Sequence, residues 1–356
     1  LFHGGNGRLS VRAGHGVGKC QAASDLCILA NGTVATFGAL IGQSFSLLSV
    51  NNDLEIKVAQ AYATDNGVQP VWRVITNRGR EIVRTGNHPL LSQECTFTPA
   101  RRPVWGERIW KVVSELSPGD LICVPERLSI SGTCEMPDWQ VKVLAYLIGD
   151  GCVIHRAMFS QAPGPQLEEM RAIVESLGLR LVQSTSNKND YAISRKIGEK
   201  KNLVRNLLQE HGVLGKRSGD QLFPDAIWRL PNPQLAVFLS RLFSADGWVC
   251  ERKPGKRGDG TGAEVGYVSK SERLVRDVHL ACLRFGIAGS IRKVKKSWTH
   301  KGVKKINAYW TWDIHDARSV LRFLKEIGIF GKEVQAARAK EACIRKFATQ
   351  KNAAPS

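Results

Sequence analysis

The sequence predicts two unlike units in one multidomain chain. An all-β unit spans residues 20–127, and an α+β unit with a pseudo-twofold internal repeat spans residues 138–332. Three observations predict this. From Cys20 to about Pro125 apolar and polar residues alternate between frequent turn signals, the pattern of half-buried strands. Beyond Asp138 helical stretches alternate with short strands, and one apolar helix running into Asp-Gly occurs twice. The third observation is charge. The net charge is +19, and residues 270–351 alone hold 20 Lys/Arg against 7 Asp/Glu, a surplus of 13. A basic surface of that kind favours a polyanion such as nucleic acid.

Taken in order, residues 1–19 are short and Gly-rich, and they read as a fragment of a host protein. Within 20–127 the clearest hairpin is Val71–Ile75 and Glu81–Arg84, joined through Asn77-Arg78-Gly79. Glu126 to Pro137 reads as a linker. The repeat comprises Trp139–Gly151 and Leu235–Gly247. Val141, Leu144, Ala145 and Ile148 fall at i, i+3, i+4 and i+7, as do Leu235, Phe238, Leu239 and Leu242. Each helix ends at Asp150-Gly151 or Asp246-Gly247, which reads as an Asp-Gly turn. Residues 333–356 read as a truncated tail, helical in composition as far as Phe347.

Composition excludes several classes. No run of about 18 uncharged apolar residues is present, so no membrane span is expected. The start Leu1-Phe2-His3-Gly4-Gly5 is neither a signal peptide nor an initiator methionine, which implies a piece of something longer. Nine cysteines stand singly with no C-x-x-C pair, so neither a zinc ribbon nor a disulfide framework is expected. A reducing cytoplasm, bacterial or phage-infected, fits that usage.

Three strings in the first unit carry chemistry. They are Cys20-Gln-Ala-Ala-Ser-Asp-Leu26, then Thr85-Gly-Asn-His88, then Leu116-Ser-Pro-Gly119-Asp120. In this order they resemble the splicing (Hint) domain of inteins: an opening nucleophile block, a T-x-x-H block and an L-x-x-G-D strand. The resemblance implies autocatalytic N–S acyl shift at Lys19-Cys20. Cys20 would attack the Lys19 carbonyl, His88 would protonate the departing amide nitrogen, and Thr85 would orient it or stabilise the oxyanion. The family's terminal His-Asn has no counterpart after Lys332, so this sequence is expected to cleave at its N-terminal junction without splicing.

The repeated helices, Leu144-Ala-Tyr-Leu-Ile-Gly-Asp150-Gly and Arg241-Leu-Phe-Ser-Ala-Asp246-Gly, resemble the paired motifs of LAGLIDADG homing endonucleases. The blocks Gly212–Pro224 and Ser269–Ile287 are similar to the family's intervening segments. The resemblance implies that Asp150 and Asp246 meet on a pseudo-twofold axis, bind Mg²⁺ and cut double-stranded DNA at the intein insertion site. One chain carrying both motifs implies a monomeric endonuclease. Arg292, Lys293, Lys295 and Lys296, with Lys304 and Lys305, would line the DNA groove. Two positions depart from the family. Gln221 stands where some active relatives have Lys. Arg241 stands at a helix-contact position usually held by a small residue, as its mate Ala145 is, which predicts a looser helix approach.

Ala13-Gly-His-Gly-Val-Gly18-Lys19 resembles the start of a Walker A phosphate loop whose hydroxyl residue is displaced by Cys20. With Val11-Arg12 it looks like the ATPase end of a phage terminase large subunit, the expected host (extein) polypeptide. Two alternatives stay open: a DNA-binding relic with a dead endonuclease, and a fragment of a terminase-like nucleotide-hydrolysing motor.

Overall fold

The structure is a computed structural model describing residues 8–12, 19–50, 54–99, 102–196, 201–252, 262–300 and 303–352. The chain divides into two compact units, residues 1–130 and 131–356.

The first unit holds strands β1 (Arg8–Arg12), β2 (Lys19–Ala22), β3 (Leu26–Ile28), β4 (Val34–Thr36), β5 (Ser44–Val50), β6 (Ile56–Asp65), β7 (Val71–Ile75), β8 (Glu81–Thr85), β9 (Pro89–Phe97), β10 (Pro103–Val112) and β11 (Leu121–Ile122). They form sheets ordered β5-β6-β1-β2-β8-β7, β10-β9-β11 and β3-β4. Among the described residues this unit has two 3-10 turns and no α-helix. The β7–β8 hairpin closes as its turn chemistry demands, with Ile75 opposite Glu81 and Gly79 at φ 73°. A small core of Cys27, Phe37, Leu40, Phe45, Ala61 and Ala63 sits beneath the large sheet. Within residues 1–19, β1 is a strand of that sheet, paired to both β2 and β6.

The second unit repeats one pattern. Its first half is α1 (Asp138–Asp150), β12 (Gly151–Cys152), β13 (Met158–Ser160), α2 (Pro165–Ser176), β14 (Leu179–Gln183), β15 (Asp190–Arg195) and α3 (Leu203–Glu210). The short α4 (Asp225–Trp228) leads into the second half. That half is α5 (Asn232–Asp246), β16 (Gly247–Glu251), β17 (Ala263–Ser269), α6 (Glu272–Leu283), β18 (Ser290–His300), β19 (Val303–Ile314) and α7 (Ala317–Glu326). The two antiparallel sheets run β12-β13-β15-β14 and β16-β17-β19-β18, the same order twice.

The periodic residues of α1 and α5 explain why these helices pair. Val141, Leu144, Ala145 and Ile148 are buried, and Leu235, Phe238, Leu239 and Leu242 are fully so. Burying such a large side chain contributes about 1.5–3 kcal/mol. Two further segments belong to the second unit. The latter part of the linker is hydrogen-bonded to the second unit: Gly132 N–H donates to Leu230 O (3.2 Å) and Cys134 N–H to Arg229 O (3.0 Å). A Cβ at Gly132 would fall 1.9 Å from Arg229 O, so only glycine fits there. Glu333–Asn352 forms α8, which packs on α7, β16 and β17 and buries Ala339, Ala342 and Cys343.

Candidate functional site

The strands that carry the predicted splicing residues are neighbours: Gln21 pairs with Arg84 across the antiparallel contact between β2, which holds Cys20, and β8, which ends at Thr85. Asp25 fixes that alignment, since its carboxylate pairs with the Arg84 guanidinium and accepts from Val83 N–H (3.2 Å), while its own N–H donates to Ala22 O (3.0 Å). Thr85 and His88 are buried, 6% and 7% exposed, and His88 N–H donates to Thr85 O (3.1 Å). The Thr85 hydroxyl has no hydrogen-bond partner among the described residues. The Asp25–Arg84 clasp carried no motif in the sequence, because it joins residues 59 apart. The side chains of Lys19 and Cys20 lie outside the described residues, and so does Gly18 with the rest of the phosphate-loop segment 13–18.

In the second unit the ends of α1 and α5 bring Asp150 and Asp246 together. The helices are close-packed at that end: a Cβ on Gly149 would lie 2.7 Å from the Ala245 Cβ. Gly151 and Gly247 turn the chain straight into β12 and β16 with extended backbone, φ −96° and −94°. A Cβ there would strike the carbonyl four residues back, 2.2 Å from Leu147 O or 2.5 Å from Phe243 O. The Asp-Gly pair is therefore a packing device at each helix end.

The looser approach predicted from Arg241 is corrected. Its guanidinium leaves the helix seam, donates to Glu169 (2.8 and 3.1 Å) and stacks on Phe330 at 4.3 Å. Lys142 (3.1 Å) and the Tyr146 hydroxyl (2.6 Å) meet the same carboxylate.

Burial pushes both aspartates up, Asp150 to about 7, where the charge of Asp246 adds to the effect, and Asp246 to about 6, where Lys296 and Lys332 oppose it. Lys332 stands beside them. Its ammonium donates to Phe243 O (3.3 Å) and Gly247 O (2.5 Å), closing the α5 C-terminus where the helix dipole is negative. Burial lowers its pKa while both aspartates raise it. Sequence reasoning used Lys332 only as a boundary. A signal was available: Gly212-Val-Leu-Gly-Lys216 after α3 matches Gly328-Ile-Phe-Gly-Lys332 after α7. All four glycines have positive φ, 62° and 91°, then 68° and 75°. Lys216 itself faces Arg273, Asp277, Asp220 and Asp225. Gln221 is buried at 3% exposure.

Among the described residues no group of three or more His, Cys, Asp or Glu side chains converges. The carboxylate pair alone suits a hard ion such as Mg²⁺, which keeps waters and substrate phosphates in its shell. Zinc, which wants four protein ligands in a structural site, does not fit.

Strand alternation divides the basic run. Lys293 and Lys295 share a face with buried Ile291. Lys293 lies 5.4 Å from the Trp310 ring, which Arg276 of α6 also approaches at 5.8 Å. Arg292 and Lys296 occupy the opposite face. Arg292 is committed to Asp313 (2.5 Å), and Lys296 lies over Tyr309 (5.5 Å) with Lys270 (6.0 Å), a cation the motif reading missed. Lys304 is exposed on β19, and the Lys305 side chain lies outside the described residues.

Residues 233–328 match the LAGLIDADG-like domain family. The chain is 27% identical over 334 residues to a replicative DNA helicase DnaB of Rhodothermus marinus, covering 90% of this chain and 33% of that protein. It is 28% identical over 194 residues to a RecA protein of Mycobacterium bovis, covering 51% of this chain and 23% of that protein. It thus spans a third or less of either relative. Among solved structures, the homing endonuclease I-WcaI bound to its DNA recognition sequence aligns at TM-score 0.34 and 12% identity, over 56% of this chain and 87% of that one. No helix among the described residues is long and apolar enough to cross a membrane.

Proposed function

We propose that the second unit is a site-specific, Mg²⁺-dependent homing endonuclease cutting double-stranded DNA, and that the first is an intein splicing domain. One observation carries the nuclease reading: Asp150, Asp246 and Lys332 meet at the joined ends of two repeated helices, in a chain whose residues 233–328 match the LAGLIDADG-like family. Mg²⁺, when bound, would supply a water of lowered pKa and charge for the phosphoryl oxygens. Asp150 and Asp246 would hold it, one from each half. Lys332 would offset the negative charge gathered there and add positive charge toward the scissile phosphate. Lys270, Lys296 and Tyr309 would meet the DNA backbone from one sheet face. Both aspartates come from one chain, which supports a monomeric enzyme.

The test is linearisation of a plasmid carrying the host gene freed of the inserted segment. Cutting at one site with Mg²⁺, and none with EDTA, is expected. Binding without cutting would favour the relic reading and overturn this one.

The insert reading draws support from the relatives. A helicase and a RecA protein, different by name, share with this chain only part of their length. The pairing of the Cys20 strand with the Thr85 strand and the buried His88 support the acyl shift. In that step Cys20 Sγ bonds to the Lys19 carbonyl carbon and the Lys19–Cys20 C–N bond breaks. The thiol proton ends on the freed amine by way of His88. A strong thiol should then release a host peptide ending at Lys19 from the native chain and not from Cys20→Ala. Equal masses with both proteins would remove the splicing assignment. The phosphate-loop host remains a proposal carried by residues 13–19 alone.

A further inference from the structure

The two halves of the aspartate site differ by one buried oxygen. In the first half β12 pairs with β13 so that Gly151, the residue after Asp150, lies opposite Phe159. In the second, β16 pairs with β17 so that Gly247, the residue after Asp246, lies opposite Tyr267. Phe159 and Tyr267 are therefore mates under the pseudo-twofold repeat, and both are fully buried. Each ring packs on a helix aromatic, Phe159 on Tyr146 at 5.4 Å and Tyr267 on Phe243 at 5.3 Å. Packing thus explains the ring in each half, and in the first half phenylalanine suffices.

The Tyr267 hydroxyl has no hydrogen-bond partner among the described residues. A buried hydroxyl without a partner is costly, and phenylalanine of the same shape would avoid that cost. Burial first, and then the charges of Asp246 and Asp150, hold this phenol protonated, and the β16–β17 register sets Tyr267 opposite the residue that follows Asp246. A phenol is a proton donor at neutral pH and a poor ligand for Mg²⁺, which suits it to a water in the ion's shell more than to the ion.

We propose that Tyr267 is a positioning residue of the Asp246 side, its hydroxyl donating to a shell water beside the aspartates, and that the two sides are chemically unequal because Phe159 offers no such donor. The inequality rests on the nuclease reading, extended by the premise that a double-strand cut uses one aspartate for each DNA strand.

The experiment compares Tyr267→Phe with a control, Tyr146→Phe, in the full chain. The control also removes one buried hydroxyl, the one bonded to Glu169. Mn²⁺ binding without DNA is followed by electron paramagnetic resonance, thermal unfolding checks the fold, and a duplex of the insert-free host gene labelled on both strands reports each cut. Tyr267→Phe should weaken Mn²⁺ about tenfold, as loss of an outer-shell partner does. It should also slow one strand about tenfold and leave the other within about twofold. Tyr146→Phe should lower the melting temperature and leave Mn²⁺ affinity and the strand ratio unchanged. Unchanged Mn²⁺ affinity in Tyr267→Phe, or equal slowing of both strands, would overturn the proposal. If no protein cuts either strand while Tyr267→Phe still loses Mn²⁺ affinity, the nuclease reading fails and the shell assignment of Tyr267 stands.

Discussion

The two halves of the second unit share a fold and differ in chemistry. Each delivers one aspartate by the same device, an apolar helix halted by a glycine that only a missing Cβ allows. Around that scaffold the second half holds Lys332 at the pair, a buried Tyr267 hydroxyl, and a long β18–β19 hairpin bearing Lys296 and Tyr309, with Lys270 reaching Tyr309 from the end of β17. The first half has Lys216 turned toward Asp277, Phe159 without a hydroxyl, and a β12 strand of two residues. Repetition sets where groups can stand, and local side chains decide which of those places is chemically equipped.

The sharpest way to break this contrast is to remove the two matched lysines. Lys332→Met should slow cleavage about a hundredfold, the scale of losing one preorganised charge at a phosphoryl site. Lys216→Met should change the rate less than about threefold, and single-turnover kinetics would show equal losses if the halves were equivalent after all. On the sheet, reversal of Lys270 or Lys296 to Glu should weaken DNA binding and flatten its log–log salt dependence by about one unit per lost phosphate contact. The same change at Lys293, which lies against Trp310 on the opposite face, should move the slope less.

The smallest effect is on stability and follows from the raised carboxyl of Asp150. Between pH about 4 and about 7 the folded chain keeps a proton that the unfolded chain has released, so stability falls as pH rises through that window. At pH 8 the ionised Asp150 is destabilising. Asp150→Asn in EDTA should therefore stabilise by about 2 kcal/mol at pH 8, allowing for partial solvent screening. The gain should vanish toward pH 4, and thermal scans at the two pH values would measure it. A gain independent of pH would place its origin outside the charge.

Much of this was legible because the signals are local. The apolar spacing of α1 and α5, the Asp-Gly repeats and the Asn77–Gly79 hairpin each depend on residues within about a dozen positions. The Gly-x-x-Gly-Lys repeat is equally local, but it lies in loops after the helices and carries no apolar period to mark it. Asp25–Arg84, Arg241–Glu169 and the Tyr267 hydroxyl were not legible, since each meaning comes from a partner brought close by the tertiary fold. The basic run misled for a geometric reason: a period of two divides neighbouring lysines between opposite faces.

Cleavage of the insert-free host site by Asp150→Asn and Asp246→Asn, each compared with the unmodified chain in Mg²⁺, tests the shared site most directly. The account predicts that either substitution lowers double-strand cutting at least a thousandfold while DNA binding persists. Full double-strand cutting by either variant would contradict it, because one aspartate would then suffice for both strands.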